Sequence, residues 1–212
     1  MPRPMRRADD LLLVVDVQND FCPGGSLAVP DGAAVIAPAN RLIAAFDHVV
    51  LTQDWHPAGH SSFASSHPGT QPFQTMEMEY GPQILWPDHC MQGSPGADFH
   101  AELVWTKAEL VIRKGFMPAI DSYSAFQEND RRTPTGLSGY LRTRGFRRLI
   151  LCGLATDFCV FYSAMDAVGE GFQVIVAEDA CRAIDLDGSL AAAKSAMAGA
   201  GVVIASSAEL VA

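Results

Sequence analysis

An aspartate, a lysine and a cysteine, Asp16, Lys114 and Cys159, each stand just past a separate short apolar run. Together they offer an acid/base, a cation and a nucleophile, the parts needed for acyl transfer through a thioester. If the apolar runs are parallel strands, one edge of the sheet receives all three. The crevice at the carboxyl ends of the strands is where an open α/β sheet binds its ligands, and charge in such a core needs partners or work.

Cys159 is the strongest nucleophile candidate. The segment Cys152-Gly-Leu-Ala-Thr-Asp-Phe-Cys159 passes from a strand through a small-residue turn toward a helical stripe of Val160, Phe161, Ala164, Met165 and Val168. Thr156 is the expected N-cap and Gly169 the expected stop, which predicts that Cys159 lies in the first turn of a helix. Free N–H groups and the helix dipole at that place favour a thiolate and can hold a developing oxyanion. Cys152 and Cys181 read instead as buried structural thiols.

Asp16 opens a turn-rich loop, Asp16-Val-Gln-Asn-Asp-Phe-Cys-Pro-Gly-Gly25. A carboxylate beside a thiol can take its proton, provided that partial burial and a nearby cation poise it, and Lys114 at the end of Leu110-Val-Ile-Arg-Lys114 is a suitable cation. Taken singly, such an aspartate is a turn residue and such a lysine a surface one. Their convergence is the signal.

A second constellation begins at Thr52-Gln-Asp-Trp-His-Pro57. Asp54 and His56 are two apart, a spacing that in extended chain puts both side chains on one face with Trp55 pointing away. A carboxylate and an imidazole so placed can share a divalent metal. His60, His67 and His89, the last in Trp86-Pro-Asp-His-Cys90, are available to complete the shell. Pro57 and Gly59 rule out a helical pairing of His56 with His60, so a loop must bring the third ligand back. The mixed nitrogen and oxygen set suits zinc, iron or manganese and argues against a structural four-cysteine zinc site.

The elements that must position these residues follow from the hydrophobic pattern. Six continuous apolar runs, Leu11–Val17, His48–Thr52, Leu110–Ile112, Arg148–Cys152, Gln173–Ala177 and Val202–Ala205, predict strands covered on both faces. Between them, Gly32–Phe46, Thr135–Arg144, Asp157–Val168 and Gly188–Ala198 have helical spacing or are rich in alanine. The alternation predicts a doubly wound α/β sheet with right-handed crossovers and helices on both faces. From Trp55 to Lys107 no clean period survives, and that length without regular structure predicts a functional loop or lid.

The chain of 212 residues, 49% of them hydrophobic, is enough for one domain with a substantial core, residues 1–212. A net charge of −9 excludes nucleic-acid binding as a primary role and points to small-molecule partners. The longest apolar stretch is far short of the roughly 20 residues of a membrane span. Five cysteines with no C-x-x-C pair, and no signal peptide before the first strand, predict a reduced, cytoplasmic protein. The Arg-rich start (Arg3, Arg6, Arg7) reads as a solvated tail. A homo-oligomer is compatible with this composition.

The residues also carry a family resemblance. Asp16–Leu27, Asp54-Trp-His-Pro-Ala-Gly-His-Ser-Ser-Phe63, Trp86–Cys90, Lys114-Gly115 with Tyr123-Ser-Ala-Phe126, and Gly153–Cys159 occur in the order and across the span seen in the isochorismatase-like cysteine hydrolases, most nearly those acting on nicotinamide. The resemblance implies a three-layer α/β/α fold with a six-stranded parallel sheet. It makes Asp16, Lys114 and Cys159 a catalytic triad and Asp54, His56 and His89 the ligands of one divalent metal ion (zinc, iron or manganese), with His60 a candidate fourth and His67 an alternative. It also implies a cis peptide at Leu154-Ala155, with the amides of Ala155 and Cys159 turned toward the oxyanion. The implied reaction is hydrolysis of nicotinamide to nicotinate and ammonia, with pyrazinamide as a ring analogue. Phe21, Trp86 and Tyr123 are candidate walls for the ring.

Two other classes compete. Another carboxamide or carbamoyl hydrolase would use the same triad but would not need a metal to anchor a ring nitrogen. Isochorismate hydrolysis gives Cys159 little to do, and a catalytically silent metal-binding interaction protein would not need an intact triad.

Overall fold

The computed structural model describes residues 7–211. Arg3 and Arg6 of the basic N-terminal stretch lie outside them, and Arg7 is exposed. In chain order the elements are β1 (Asp10–Val15), α1 (Ile36–Ala45), β2 (Val49–Asp54), β3 (Thr75–Met78), β4 (Gly81–Ile84), β5 (Leu110–Lys114), α2 (Leu137–Arg144), β6 (Arg148–Leu154), α3 (Phe161–Gly169), β7 (Gln173–Arg182), α4 (Ser189–Gly199), β8 (Val203–Ala205) and α5 (Ser207–Val211). Six strands form one sheet in the order β5-β2-β1-β6-β7-β8, and every neighbouring pair is parallel.

The order explains where a site can form. From β1 the chain winds outward through β2 to β5, then returns to β6 beside β1 and winds the other way through β7 to β8. The loops after β1 and β6 therefore diverge at the switch point, leaving a crevice between them. Right-handed crossovers put α1 on one face, where α5 packs against it, and α3 with α4 on the other.

The central strands β1, β2 and β6 are buried along their whole length, as their unbroken apolar runs require. The expectation of two covered faces fails at the margins. Leu110 and Val111 of β5 are half-buried, and Val203 and Ile204 of β8 are exposed, because these two strands are the sheet's edges. Strand ends also shift. β1 stops at Val15 because Asp16 takes a left-handed φ of 48°, whereas β2, β5, β6 and β7 run on to Asp54, Lys114, Leu154 and Arg182.

The predicted helix around Cys159 is different in kind. Residues Thr156–Val160 form a π-helical turn closed by Val160 N–H donating to the Ala155 carbonyl at 3.1 Å, and α3 begins only at Phe161. Thr156 is accordingly not an N-cap. Ala155 holds that position without a side-chain cap bond. Single π turns of this sort recur at functional sites, where they re-aim a side chain that a regular helix would turn away. The segment read as irregular does hold a short antiparallel hairpin, β3–β4, at Thr75–Ile84.

Candidate active site

Asp16 leaves the end of β1 fully buried and turns back over the neighbouring strand. Thr52 on β2 donates its hydroxyl to Asp16 Oδ1 at 2.6 Å and accepts the Asp16 N–H at 3.1 Å. Lys114, the last residue of β5 and in register with Asp54 on β2, sends its side chain inward. Its ammonium lies 2.8 Å from Asp16 Oδ2, donates to the Ser122 carbonyl at 3.1 Å and lies 3.4 Å from Cys159 Sγ. It also donates to Asp54 Oδ1. The three residues read as a triad from separate parts of the chain therefore meet around one nitrogen.

Electrostatics follow from burial. Burial drives the Asp16 carboxyl upward, with Lys114 pulling against it, and the net shift is upward. Burial likewise pushes the Cys159 thiol well above its usual range, only partly offset by Lys114. Burial opposes the charge on Lys114, but Asp16, Asp54 and Cys159 outweigh it and hold the proton on the amine. A protonated thiol beside a carboxylate, bridged by a fixed cation, is the resting state from which a proton can be handed over.

Beside this cluster lies a second. Gln18 clamps the end of β2, its Oε1 accepting Asp54 N–H at 2.8 Å and its amide donating to the Asp54 and Ala97 carbonyls at 2.9 and 2.8 Å. Asp54 Oδ2 then faces His56 Nε2 at 3.6 Å and His89 Nε2 at 3.7 Å. Trp55 points away, under the Arg113 guanidinium, whose centre lies 3.8 Å from its ring. His56 Nδ1 donates to the Gly115 carbonyl and His89 Nδ1 to the Pro87 carbonyl, both at 2.8 Å, so each ring turns the lone pair of Nε2 inward. Gly115 has no substitute, since a Cβ there would stand 2.4 Å from His56 Cε1 on a backbone already at φ +65°.

This donor set fits a divalent metal. His56 Nε2 is buried with no hydrogen-bond partner, and one atom from each of Asp54, His56 and His89 lies within 4.8 Å of the others. Two imidazole nitrogens and a carboxylate leave positions for further ligands, as zinc, iron and manganese sites in enzymes do. His60 sits against His56, with ring centroids 4.4 Å apart, but both its nitrogens are engaged. Nε2 faces the Met117 and Ile120 carbonyls at 2.9 and 3.2 Å, and Nδ1 faces the Ser62 hydroxyl at 2.8 Å. His67 Nε2 is taken by the Ser61 carbonyl at 2.7 Å.

Both clusters open into one cleft of about 330 Å³ including its mouth. Phe21, Trp86 and Tyr123 line it, together with Ala155, Cys159, Asp54 and His89. The Leu154-Ala155 peptide is cis, as the resemblance implied. Leu27, Phe158, Ile184 and Asp121 complete the wall and were not singled out from sequence. The three apolar ones carry no chemical signal of their own. Asp121 lies two residues before Tyr123 and is held by Gln83 Nε2, donating at 2.7 Å from the β3–β4 hairpin, and by Ser122 N–H at 2.8 Å.

The isochorismatase domain family matches residues 10–209. The chain belongs to this family. Among curated relatives, the nicotinamidase of Acinetobacter baylyi is 52% identical over 199 residues, covering 93% of each chain. Among solved structures, the Acinetobacter baumanii nicotinamidase and pyrazinamidase superposes with a TM-score of 0.95 at 53% identity, covering 96% of this chain and 99% of that one. The Pyrococcus horikoshii pyrazinamidase in complex with zinc superposes with a TM-score of 0.76 at 34% identity, covering 93% and 99%. Membership of the isochorismatase family agrees with the six-stranded parallel sheet. Among the described residues no helix is long and apolar enough to cross a membrane.

Proposed function

We propose that this enzyme hydrolyses nicotinamide to nicotinate and ammonia through a thioester on Cys159, and pyrazinamide by the same route. The observation that carries the reading is the single cleft shared by the Asp16, Lys114 and Cys159 cluster and the Asp54, His56 and His89 cluster, two side-chain sets joined through Lys114. The first set suits amide chemistry. The second suits a ring with a ligating nitrogen, and the names of the relatives at 52% and 53% identity support that choice.

In the proposed cycle Asp16 accepts the Cys159 proton while Lys114 holds the ionised pair together. The thiolate attacks the carboxamide carbon, and the backbone amides of Ala155 and Cys159 are assigned to the tetrahedral oxyanion. Asp16 returns its proton to the leaving nitrogen, and ammonia departs. Asp16 then takes a proton from water as the water attacks the thioester, releasing nicotinate, and gives it back to Cys159. Asp54, His56 and His89 would hold one divalent ion, zinc, iron or manganese, which when bound supplies a Lewis-acid site for the pyridine nitrogen and so fixes the ring's orientation. The zinc in the Pyrococcus horikoshii relative supports that assignment. His60, with both nitrogens engaged within the protein, is assigned a packing role beside His56. Phe21, Trp86 and Tyr123 sandwich the ring.

Five free, buried cysteines support a cytoplasmic, reducing setting. The test is direct: metal-replete protein incubated with nicotinamide should release ammonia and nicotinate in equal amounts. Absence of turnover would overturn the reading.

A further inference from the structure

Asp157 is a buried carboxylate that the reaction above leaves without a task. It is 4% exposed and stands in the π turn two residues before Cys159. Its hydrogen bonds leave that turn and reach the segment that follows β7. Oδ1 accepts the Ile184 N–H at 3.1 Å, and Oδ2 accepts the Asp185 N–H at 2.7 Å and the Ser189 hydroxyl. The turn closes without this help, because Phe158 N–H and Val160 N–H both donate to the Ala155 carbonyl at 3.1 Å.

The segment is the side that depends on the carboxylate. β7 ends at Arg182, so the sheet no longer satisfies the amides of Ile184 and Asp185. The chain then passes through left-handed backbone at Asp185, Asp187 and Gly188, with φ of 56°, 50° and 85°, before α4 starts at Ser189. Left-handed aspartates persist only where the surrounding contacts hold them. Ile184, at the head of this bend, is half-buried against the core and lines the cleft with Ala155, Phe158 and Cys159. One carboxylate therefore ties an apolar wall of the cleft to the turn that carries the nucleophile. We propose that Asp157 is a positioning residue that sets the spacing between the Ile184 wall and Cys159, and so decides how firmly a flat heteroaromatic carboxamide is held. A wall contact on the ring is made equally before and during reaction at the carboxamide carbon, so its loss is read in KM rather than in kcat.

The inference rests on the reading of the cleft as a nicotinamide site, and its test measures kcat, KM and the melting temperature on metal-replete protein. Asp157→Ala should raise KM for nicotinamide about tenfold, the effect of losing one apolar pocket contact, with kcat held within about threefold. Ile184→Ala should do the same, and the double variant should be no worse than Ile184→Ala alone, because the two act through one wall. A folded Asp157→Ala protein with the parent KM overturns the proposal, even if its melting temperature falls. So does a double variant in which the two losses multiply, or a tenfold loss of kcat at unchanged KM. Should Asp157→Ala not fold, Ser189→Ala decides: it removes one donor outside the cleft and should raise KM about threefold, and an unchanged KM overturns the tether. A parent protein without turnover sinks the nicotinamide reading and this proposal with it, whereas an active parent beside an unaffected Asp157→Ala protein sinks only the role of Asp157.

Discussion

Lys114 and Asp54 are directly paired across adjacent strands, although one belongs to the triad and the other to the metal-ligand cluster. The same ammonium lies 2.8 Å from Asp16, so one positive charge is shared between two carboxylates, on a side chain with no solvent exposure. Removing one member of a buried ion pair leaves an uncompensated charge and costs about 3–5 kcal/mol. Lys114→Ala should therefore abolish turnover and lower the denaturant-derived stability of the metal-free protein by about that amount. Cys159→Ala should abolish turnover equally but leave stability and metal content close to the parent's. A Lys114→Ala protein as stable as the parent would contradict the shared-cation geometry.

The pH profile should be asymmetric. The active form needs Asp16 ionised and the Cys159 thiol still carrying its proton. Burial raises Asp16 above 3.8, so activity is lost as pH falls through that raised value, and the acid limb should lie higher than for an ordinary aspartate. Cys159 is shifted well above 9.0 and Lys114 well above 10.5, so no loss is expected between neutrality and pH 9. A descending limb centred between 7 and 8 in kcat/KM would show that another group controls the rate.

Glu128 makes a stability prediction of opposite sign. Its carboxyl is raised from 4.5 to about 7, so the folded protein holds that proton more tightly than the unfolded chain does. The contribution is fully present below 4.5 and is lost as pH rises through about 7. Thermal melts of Glu128→Gln, which cannot ionise, should gain on the parent steadily across that window and stay parallel below it. A constant difference from pH 4 to 8 would reject the shift.

Gly115→Ala tests the fit of the metal corner. Its methyl group would meet the His56 ring at 2.4 Å and the left-handed backbone adds strain of about 1 kcal/mol or more. The ring must move off the Gly115 carbonyl, and metal affinity should fall about 10–100-fold, as it does when an outer partner of a ligating histidine is lost. Metal content after dialysis against a weak chelator is the measurement, and full retention would count against the assignment of His56.

Much of this was legible in the chain because the chemistry sits next to strong local signals. Leu11–Val15 and Arg148–Cys152 are unbroken apolar runs, and Asp16 and Cys159 follow them within a few residues. The D-x-H spacing was likewise a local statement about an extended segment, and β2 ends at Asp54 as it required. What escaped were features set by tertiary contact. In the β3–β4 hairpin, β3 alternates between exposed and half-buried positions and the buried residue of β4 is the polar Gln83, next to Pro82, so no apolar period announces it. The π turn at Thr156–Val160 was invisible because its residues have the composition of a first helical turn. Gln18 is a polar residue in a loop, and only the fold reveals that it grips Asp54.

The placement of β5 at the rim of the sheet has a final consequence. Asp16 and Cys159 hang from the two innermost strands, but the charge they depend on is carried by the outermost one, whose residues Leu110, Val111 and Arg113 retain contact with water. Marginal strands open at lower free energy than central ones. Catalysis should therefore fail in denaturant before the bulk of the protein unfolds, with loss of turnover leading the change in far-ultraviolet circular dichroism, and coincident transitions would argue against such early fraying. The centre of this enzyme is as durable as its rim, and a substitution that tightened β5 against β2 would lengthen the working life of a nucleophile three strands away.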